Sequence, residues 1–164
     1  MDGPPRNLVH ALKYGGWHAV AEEMGQRMAA LPLPLEVREE VGIVLPVPVG
    51  RTRLRARGYN QAEMLSRSVA TSQGWRHEPE ILERTRATES QTALHPTERR
   101  ANVAGAFRVR AGREATLRRE HVLLVDDVWT TGATALACAA ALTAAGARAV
   151  SVITFARALP DRKL

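Results

Sequence analysis

The chain predicts an α/β fold in which helices flank a central parallel sheet, and three observations carry that reading. The C-terminal part alternates strand, helix and strand: an apolar run at His121 to Val125, a helix former from Ala133 to Ala145 stopped by Gly146, and a β-branched-rich run from Ala149 to Phe155. Val41 to Val49 reads VGIVLPVPV, a buried strand with prolines only at its far end. After Gly58, the stretch Tyr59 to Ser72 carries Ala62, Leu65 and Val69 at helical spacing. A length of 164 residues suits one domain spanning residues 1–164, and 45% hydrophobic with 24% charged residues excludes a disordered chain.

In chain order, Leu8, Val9 and Leu12, then Val20, Met24 and Met28, fall at helical spacing on either side of Gly15-Gly16, so residues 1–34 form an N-terminal helical part. Pro32 and Pro34 end it. Proline cannot serve a central ladder, so the strand beginning at Val41 stops near Pro46 and becomes a loop. Ile81 and Leu82 belong to a second strand. Residues 85–97 are polar and turn-rich without an apolar period, and long connections of that kind inside a domain are functional or mobile. A short helix is predicted over Glu98 to Val103, followed by the strand-like AFRVR.

Several classes are excluded by composition. Nine Pro and 12 Gly are scattered, which rules out collagen-like architecture. The single cysteine, Cys138, rules out an internal disulfide framework and a cysteine-based zinc cluster; within an Ala-rich helix it reads as a small core residue. No apolar run reaches the roughly 20 residues that span a bilayer, and the N-terminus MDGPPRNLVH has no apolar signal core. The expectation is a cytoplasmic chain without membrane insertion. His10, His18, His77, His95 and His121 show no metal-ligand spacing and read as surface or capping residues.

The net charge is +6, and its arginines are unevenly placed. Arg51, Arg53, Arg55 and Arg57 alternate through one segment with no acidic residue among them. Arg84, Arg86, Arg99, Arg100, Arg108 and Arg110 form a second stretch that contains only Glu89 and Glu98 as acids. Two such segments suit one polyanionic ligand, because anions bind at strand ends in open α/β sheets.

The strongest signal is VLLVDDVWTTGAT, Val122 to Thr134. An apolar strand presents Asp126 and Asp127 at its carboxyl end, and the small-residue loop Thr130-Thr131-Gly132-Ala133-Thr134 then opens a helix. A helix N-terminus offers unpaired N–H groups and partial positive charge to a phosphate. Gly132 lets the backbone approach the anion, and threonine hydroxyls add donors without charge. Carboxylates beside a phosphate repel it unless they accept from sugar hydroxyls or share a Mg²⁺ ion. The plainer alternative is an acidic pair that caps the helix and a common Thr-Thr-Gly turn; the full pattern is more selective than either. Neither a Walker loop nor G-x-G-x-x-G is present.

This segment resembles the phosphoribosyl-pyrophosphate (PRPP) motif of type I phosphoribosyltransferases. The rest of the chain resembles their ComF/GntX competence-associated branch. The residues that carry this second likeness are ALKYGG (Ala11 to Gly16), LPVPVGRTRLRARGYNQAE (Leu45 to Glu63), and the set Arg84, Gln91, Leu94, Glu98-Arg99-Arg100, Asn102-Val103 and Ala106-Phe107. The resemblance implies the type I phosphoribosyltransferase fold with a small flexible hood. It implies that Asp126 and Asp127 hold the ribose hydroxyls as the catalytic pair and that Thr130, Thr131, Gly132, Ala133 and Thr134 wrap the 5′-phosphate. It places pyrophosphate on the loop after the first strand, with Gly50, Arg51, Thr52 and Arg53 as binding residues, and makes residues 85–100 a closing loop. Mg²⁺ accompanies PRPP. Other members carry an N-terminal four-cysteine zinc module; none is expected here. Trp129 stands where the family has a smaller apolar residue, and either fills space above the ribose, stacks on a base or packs on the hood. Asn60 reads as a helix N-cap or, with Tyr59, as a site residue.

Two functions follow from the likeness. The first is a phosphoribosyltransferase that binds PRPP or another ribose 5-phosphate and is associated with DNA uptake in natural transformation. The second is a non-catalytic protein that binds single-stranded DNA or partners a competence helicase and uses the pocket for ligand sensing. Few aromatics are available for base stacking, which weighs against the second. Family analogy also suggests a homodimer.

Overall fold

The computed structural model of the protein describes residues 18–85 and 105–158. Helix α1 (His18–Ala29) and helix α2 (Leu35–Glu40) lead into strand β1 (Val41–Pro46). Helices α3 (Arg51–Arg57) and α4 (Gln61–Gln73) follow, then the short strands β2 (Arg76–His77) and β3 (Leu82–Arg84). After the connection come β4 (Phe107–Val109), the single turn α5 (Glu114–Leu117), β5 (His121–Trp129), α6 (Ala133–Ala144) and β6 (Ala149–Arg157). The main sheet has the order β2-β1-β5-β6 with every pair parallel. Strands β3 and β4 form a separate antiparallel pair.

Alternation along the strands divides the core between the two faces of the sheet. Ile43, Leu45, Val122 and Leu124 pack with Cys138 and Leu142 of α6 and with Leu82 and Phe107 of the two-stranded sheet. Val44, Leu123, Val125 and Ile153 pack with Met24 and Met28 of α1 and with Leu65 and Val69 of α4. The result is helix on both faces of a parallel sheet, with the β3–β4 pair covering part of the α6 side.

The strand at Val41 stops at Pro46 as its prolines predict. Two readings change. The strand that starts at His121 does not end at Val125 but runs to Trp129, because β6 stays paired with it as far as Arg157. Residues 51–57 are not a loop. They form α3, which Gly50 precedes and which Gly58 closes in a left-handed conformation at φ 81°. Leu82 opens a strand of the antiparallel pair, and Ile81 directly precedes it. The parallel edge is Arg76–His77, two polar residues with no apolar pattern to announce them. Ala11 to Gly16, the predicted helix over Glu98 to Val103 and residues 86–100 of the closing loop lie outside the described residues.

His77 ties β2 to α4. Ser66 Oγ donates to Glu63 O at 2.9 Å and lies 2.8 Å from His77 Nε2, so the ring supplies the proton of that second bond. Burial, with the nearby Arg67 charge, pushes the His77 pKa below its usual value of 6.5. The fold therefore favours neutral His77, and the unfolded chain takes up the proton first. The stability that this residue contributes is complete above pH 6.5 and is lost as pH falls toward its lowered folded value. Melting curves followed by circular dichroism should show a fall in Tm between pH 7.5 and pH 5 that is smaller in His77→Gln; equal falls in both proteins would contradict the assignment.

Candidate functional site

Parallel strands release their chains at one edge, and a cleft of about 390 Å³ opens there. One wall comes from β5 and the loop beyond it: Asp126, Asp127, Val128, Trp129, Thr130, Gly132 and Thr134. The facing wall comes from the chain leaving β1: Val47, Pro48, Val49, Arg53, Arg57, Asn60 and Gln61. Arg84 of β3 and Thr154 of β6 complete the lining named here.

The β5 wall is shaped by backbone geometry. Asp126 accepts the Asp127 N–H on Oδ1 at 2.9 Å, which fixes one carboxylate against the strand end. Thr131 turns inward and accepts the Ala133 N–H on Oγ1 at 3.4 Å. Gly132 adopts φ 76°, a left-handed conformation, as the chain enters α6. It is required for a second reason. A Cβ at this position would collide with Trp129 Cζ2 and sit 2.9 Å from Cη2. The Trp129 ring thus lies directly on the loop that precedes α6.

Asn60 shapes the β1 wall. Its Oδ1 accepts the Ala62 N–H at 3.2 Å as the cap of α4, and its Nδ2 donates to Val47 O at 3.1 Å. Capping and lining the cleft, which the sequence leaves as alternatives, are both true of Asn60. The arginines of α3 divide by helical periodicity: Arg53 and Arg57 line the cleft, whereas Arg51 and Arg55 lie on the other side of the turn.

Of the residues singled out from the sequence, Asp126, Asp127, Thr130, Gly132, Thr134 and Arg53 meet around the cleft. Gly50, Arg51, Thr52, Thr131 and Ala133 do not line it. Gly50 packs beside Arg84, where an added Cβ would lie 3.7 Å from Cδ; Arg51 and Thr52 form the first turn of α3; Ala133 is buried in the core. Arg57 and Arg84, read from sequence only as members of the two arginine segments, also line the cleft, as does Gln61, which was not chosen. For Arg57 the signal was available, since i and i+4 share a helix face with Arg53 once the segment is read as helix.

Arg84 stands on the β3 side of the cleft. Its guanidinium lies over the Phe107 ring, 5.4 Å from the centroid. Burial and the neighbouring Arg53 charge lower its pKa. Beneath the cleft, burial and then the Asp126 charge raise the Cys138 thiol far above its ordinary value, so it stays protonated and inert. Among the described residues no cluster of three or more His, Cys, Asp or Glu side chains is arranged to hold a metal ion. The acidic pair alone suits Mg²⁺ only where ligand phosphates supply further oxygens.

Comparison with known proteins agrees with this architecture. No protein-family model matches the chain. It is 34% identical over 165 residues to the DNA utilization protein YhgH of Escherichia coli K12, covering 95% of this chain and 69% of that one. The chain belongs to that family. It is also 36% identical over 119 residues to competence protein F of Haemophilus influenzae, covering 70% of this chain and 50% of the other. Among solved structures it is similar to the glutamine PRPP amidotransferase of B. subtilis, with TM-score 0.56 and 18% identity over 84% of this chain. The chain spans about a quarter of the amidotransferase, 26% of its length. A hypoxanthine phosphoribosyltransferase of Staphylococcus aureus aligns with TM-score 0.50 and 11% identity over 85% of this chain and 75% of that one. The fold is that of type I phosphoribosyltransferases. No helix among the described residues is long and apolar enough to cross a membrane.

The double constraint on Gly132 yields a test. Gly132→Ala incurs about 1–2 kcal/mol for the left-handed backbone together with the collision with Trp129. Adding Trp129→Ala should restore part of the loss and leave the backbone part, as measured in a double-mutant cycle by denaturant unfolding. Strictly additive effects would show that the ring does not press on the glycine.

Proposed function

We propose that this domain binds PRPP together with Mg²⁺ and serves as a phosphoribosyltransferase-like component of DNA utilization and uptake. One observation carries the reading: the acidic pair near the end of β5, Thr130, Gly132 and Thr134 of the turn beyond it, and three arginines from other elements all converge on one cleft. A loop entering α6, which is 12 residues long, suits the 5′-phosphate, where hydroxyls and helix N–H groups donate. Asp126 and Asp127 are acceptors, which suits the ribose hydroxyls. Arg53, Arg57 and Arg84 face them across the cleft and suit the diphosphate, because guanidinium pairs bidentately with phosphate oxygens.

Asp126 and Asp127 would help to hold Mg²⁺ together with the ligand, and the chemistry it would supply is neutralisation of the leaving group's charge. The chain's own part is electrostatic. The arginines favour charge that develops on departing diphosphate, and the carboxylates favour positive charge that develops on the ribose ring. The names of YhgH and competence protein F support placing the domain in DNA handling.

Isothermal titration calorimetry tests the reading. Wild type should bind PRPP in the presence of Mg²⁺. Asp126→Asn combined with Asp127→Asn should weaken binding by about 10–100-fold, the worth of charge-assisted hydrogen bonds. A wild-type protein that releases no heat with PRPP at millimolar concentration refutes the proposal.

A further inference from the structure

Gln61 is the first residue of α4 and is only 4% exposed, yet it lines the cleft. Its Nε2 is shielded from solvent and has no hydrogen-bond partner among the described residues. A primary amide nitrogen carries two donors, and native interiors leave few such groups unmet. The neighbouring Asn60 makes the contrast plain, since both ends of its amide are bonded. Asn60 also locks the amino end of α4 onto the chain leaving β1 at Val47 O, so the start of α4 is held in place without a bond from the Gln61 amide nitrogen.

The position of Gln61 sets what it meets. Strand β1 is the neighbour of β5, and α4 follows β1. A ligand with its phosphate at the loop before α6 and its sugar hydroxyls at Asp126 and Asp127 extends its remaining end over β1. There it meets Arg53, Arg57, Gln61 and the 13-residue α4, whose N-terminal end carries partial positive charge. Donors dominate that wall, so the group it suits is an oxyanion. The terminal torsion of glutamine is soft, and the amide can turn an N–H toward an oxygen seated in the cleft.

We infer that Gln61 is a ligand-binding residue whose amide donates to an oxygen of the diphosphate at C1 of the sugar, and so separates PRPP from ribose 5-phosphate. The inference rests on the phosphoribosyl reading of the cleft. It deepens that reading by assigning selectivity to a neutral side chain rather than to the arginines alone. A directional amide adds recognition without adding charge that would hold the released diphosphate.

The test compares PRPP with ribose 5-phosphate, each with Mg²⁺, by calorimetry on the full chain. Gln61→Leu removes the donors at similar volume. It should bind ribose 5-phosphate as wild type does and PRPP about tenfold more weakly, with no fall in Tm, because the apo protein loses no hydrogen bond of that nitrogen. Gln61→Glu should weaken PRPP further by placing a carboxylate against the diphosphate. Gln61→Met carries the same expectation where Gln61→Leu does not fold. Unchanged PRPP affinity in Gln61→Leu overturns the inference, as does an equal loss for both ligands with a lowered Tm, which marks a structural role. A wild type that binds neither ligand instead overturns the phosphoribosyl reading itself, and this inference falls with it.

Discussion

Because β1 and β5 pair in parallel, Pro46 lies beside Val125 and both strands release their chains at the same edge of the sheet. Every feature of the cleft depends on that pairing. It sets the acidic end of β5 opposite the arginine-bearing segment that follows β1, although about 75 residues of chain separate Arg53 from Asp127. An antiparallel arrangement would send the two segments to opposite edges. The apolar runs that make the pairing are buried on both faces, as a central parallel pair requires. The most robust part of the fold is thus the part that positions the chemistry.

The two edges of the sheet manage charge in opposite ways. At the amino-terminal edge, charges are matched. Glu40 takes Arg148 at 2.7 Å and lies 3.4 Å from His121 Nδ1, and Arg76 pairs with Glu120 at 2.5 Å. The Arg148 hydrogen bond holds the Glu40 carboxyl below its ordinary pKa. At the carboxyl-terminal edge, Arg84 is half-buried with Arg53 close enough to lower its pKa. Three arginines and two aspartates line that cleft, an excess of one positive charge. Exposed ion pairs of the first kind contribute little to stability. Clustered cations of the second kind raise the energy of the ligand-free state and lower it when an anion arrives.

Much of this was legible before any coordinates. The apolar run before Asp126 and the small-residue turn after Trp129 announce a strand, a loop and a helix, because burial and backbone freedom restrict residue type at each of those positions. Legibility fails where side chains serve the cleft instead of the core. Asp126 to Trp129 carry no buried pattern and read as loop, although β6 keeps them in the ladder. Arginine at every second position from 51 to 57 mimics strand alternation, but no sheet edge receives it, and a left-handed Gly58 closes it as a helical turn. That change of period decides which arginines face the cleft. Arg84 was read only as one arginine of a segment, and Gln61 was missed, for a different reason. Surface polar residues look the same in sequence, and only the packing of Phe107 under one and the burial of the other set them apart.

The costs of the fold are concentrated at the same place. Gly132 is left-handed with an indole pressed on it, Arg84 gives up solvent beside another guanidinium, and Gln61 buries an amide nitrogen whose donors are unmet among the described residues. Each of these would be selected against in a domain built for stability alone. Compensation comes from below: Ile43, Leu45, Leu123 and Leu124 are at most 1% exposed, and α1, α4 and α6 close over both faces of the strands that carry them. A rigid sheet thus holds strained and half-buried groups together at one cleft. Val125 is the last residue of β5 paired with β1, and from Asp126 to Trp129 the strand keeps only β6 as a neighbour. The cleft accordingly lies along the last four residues of β5 and the turn beyond them.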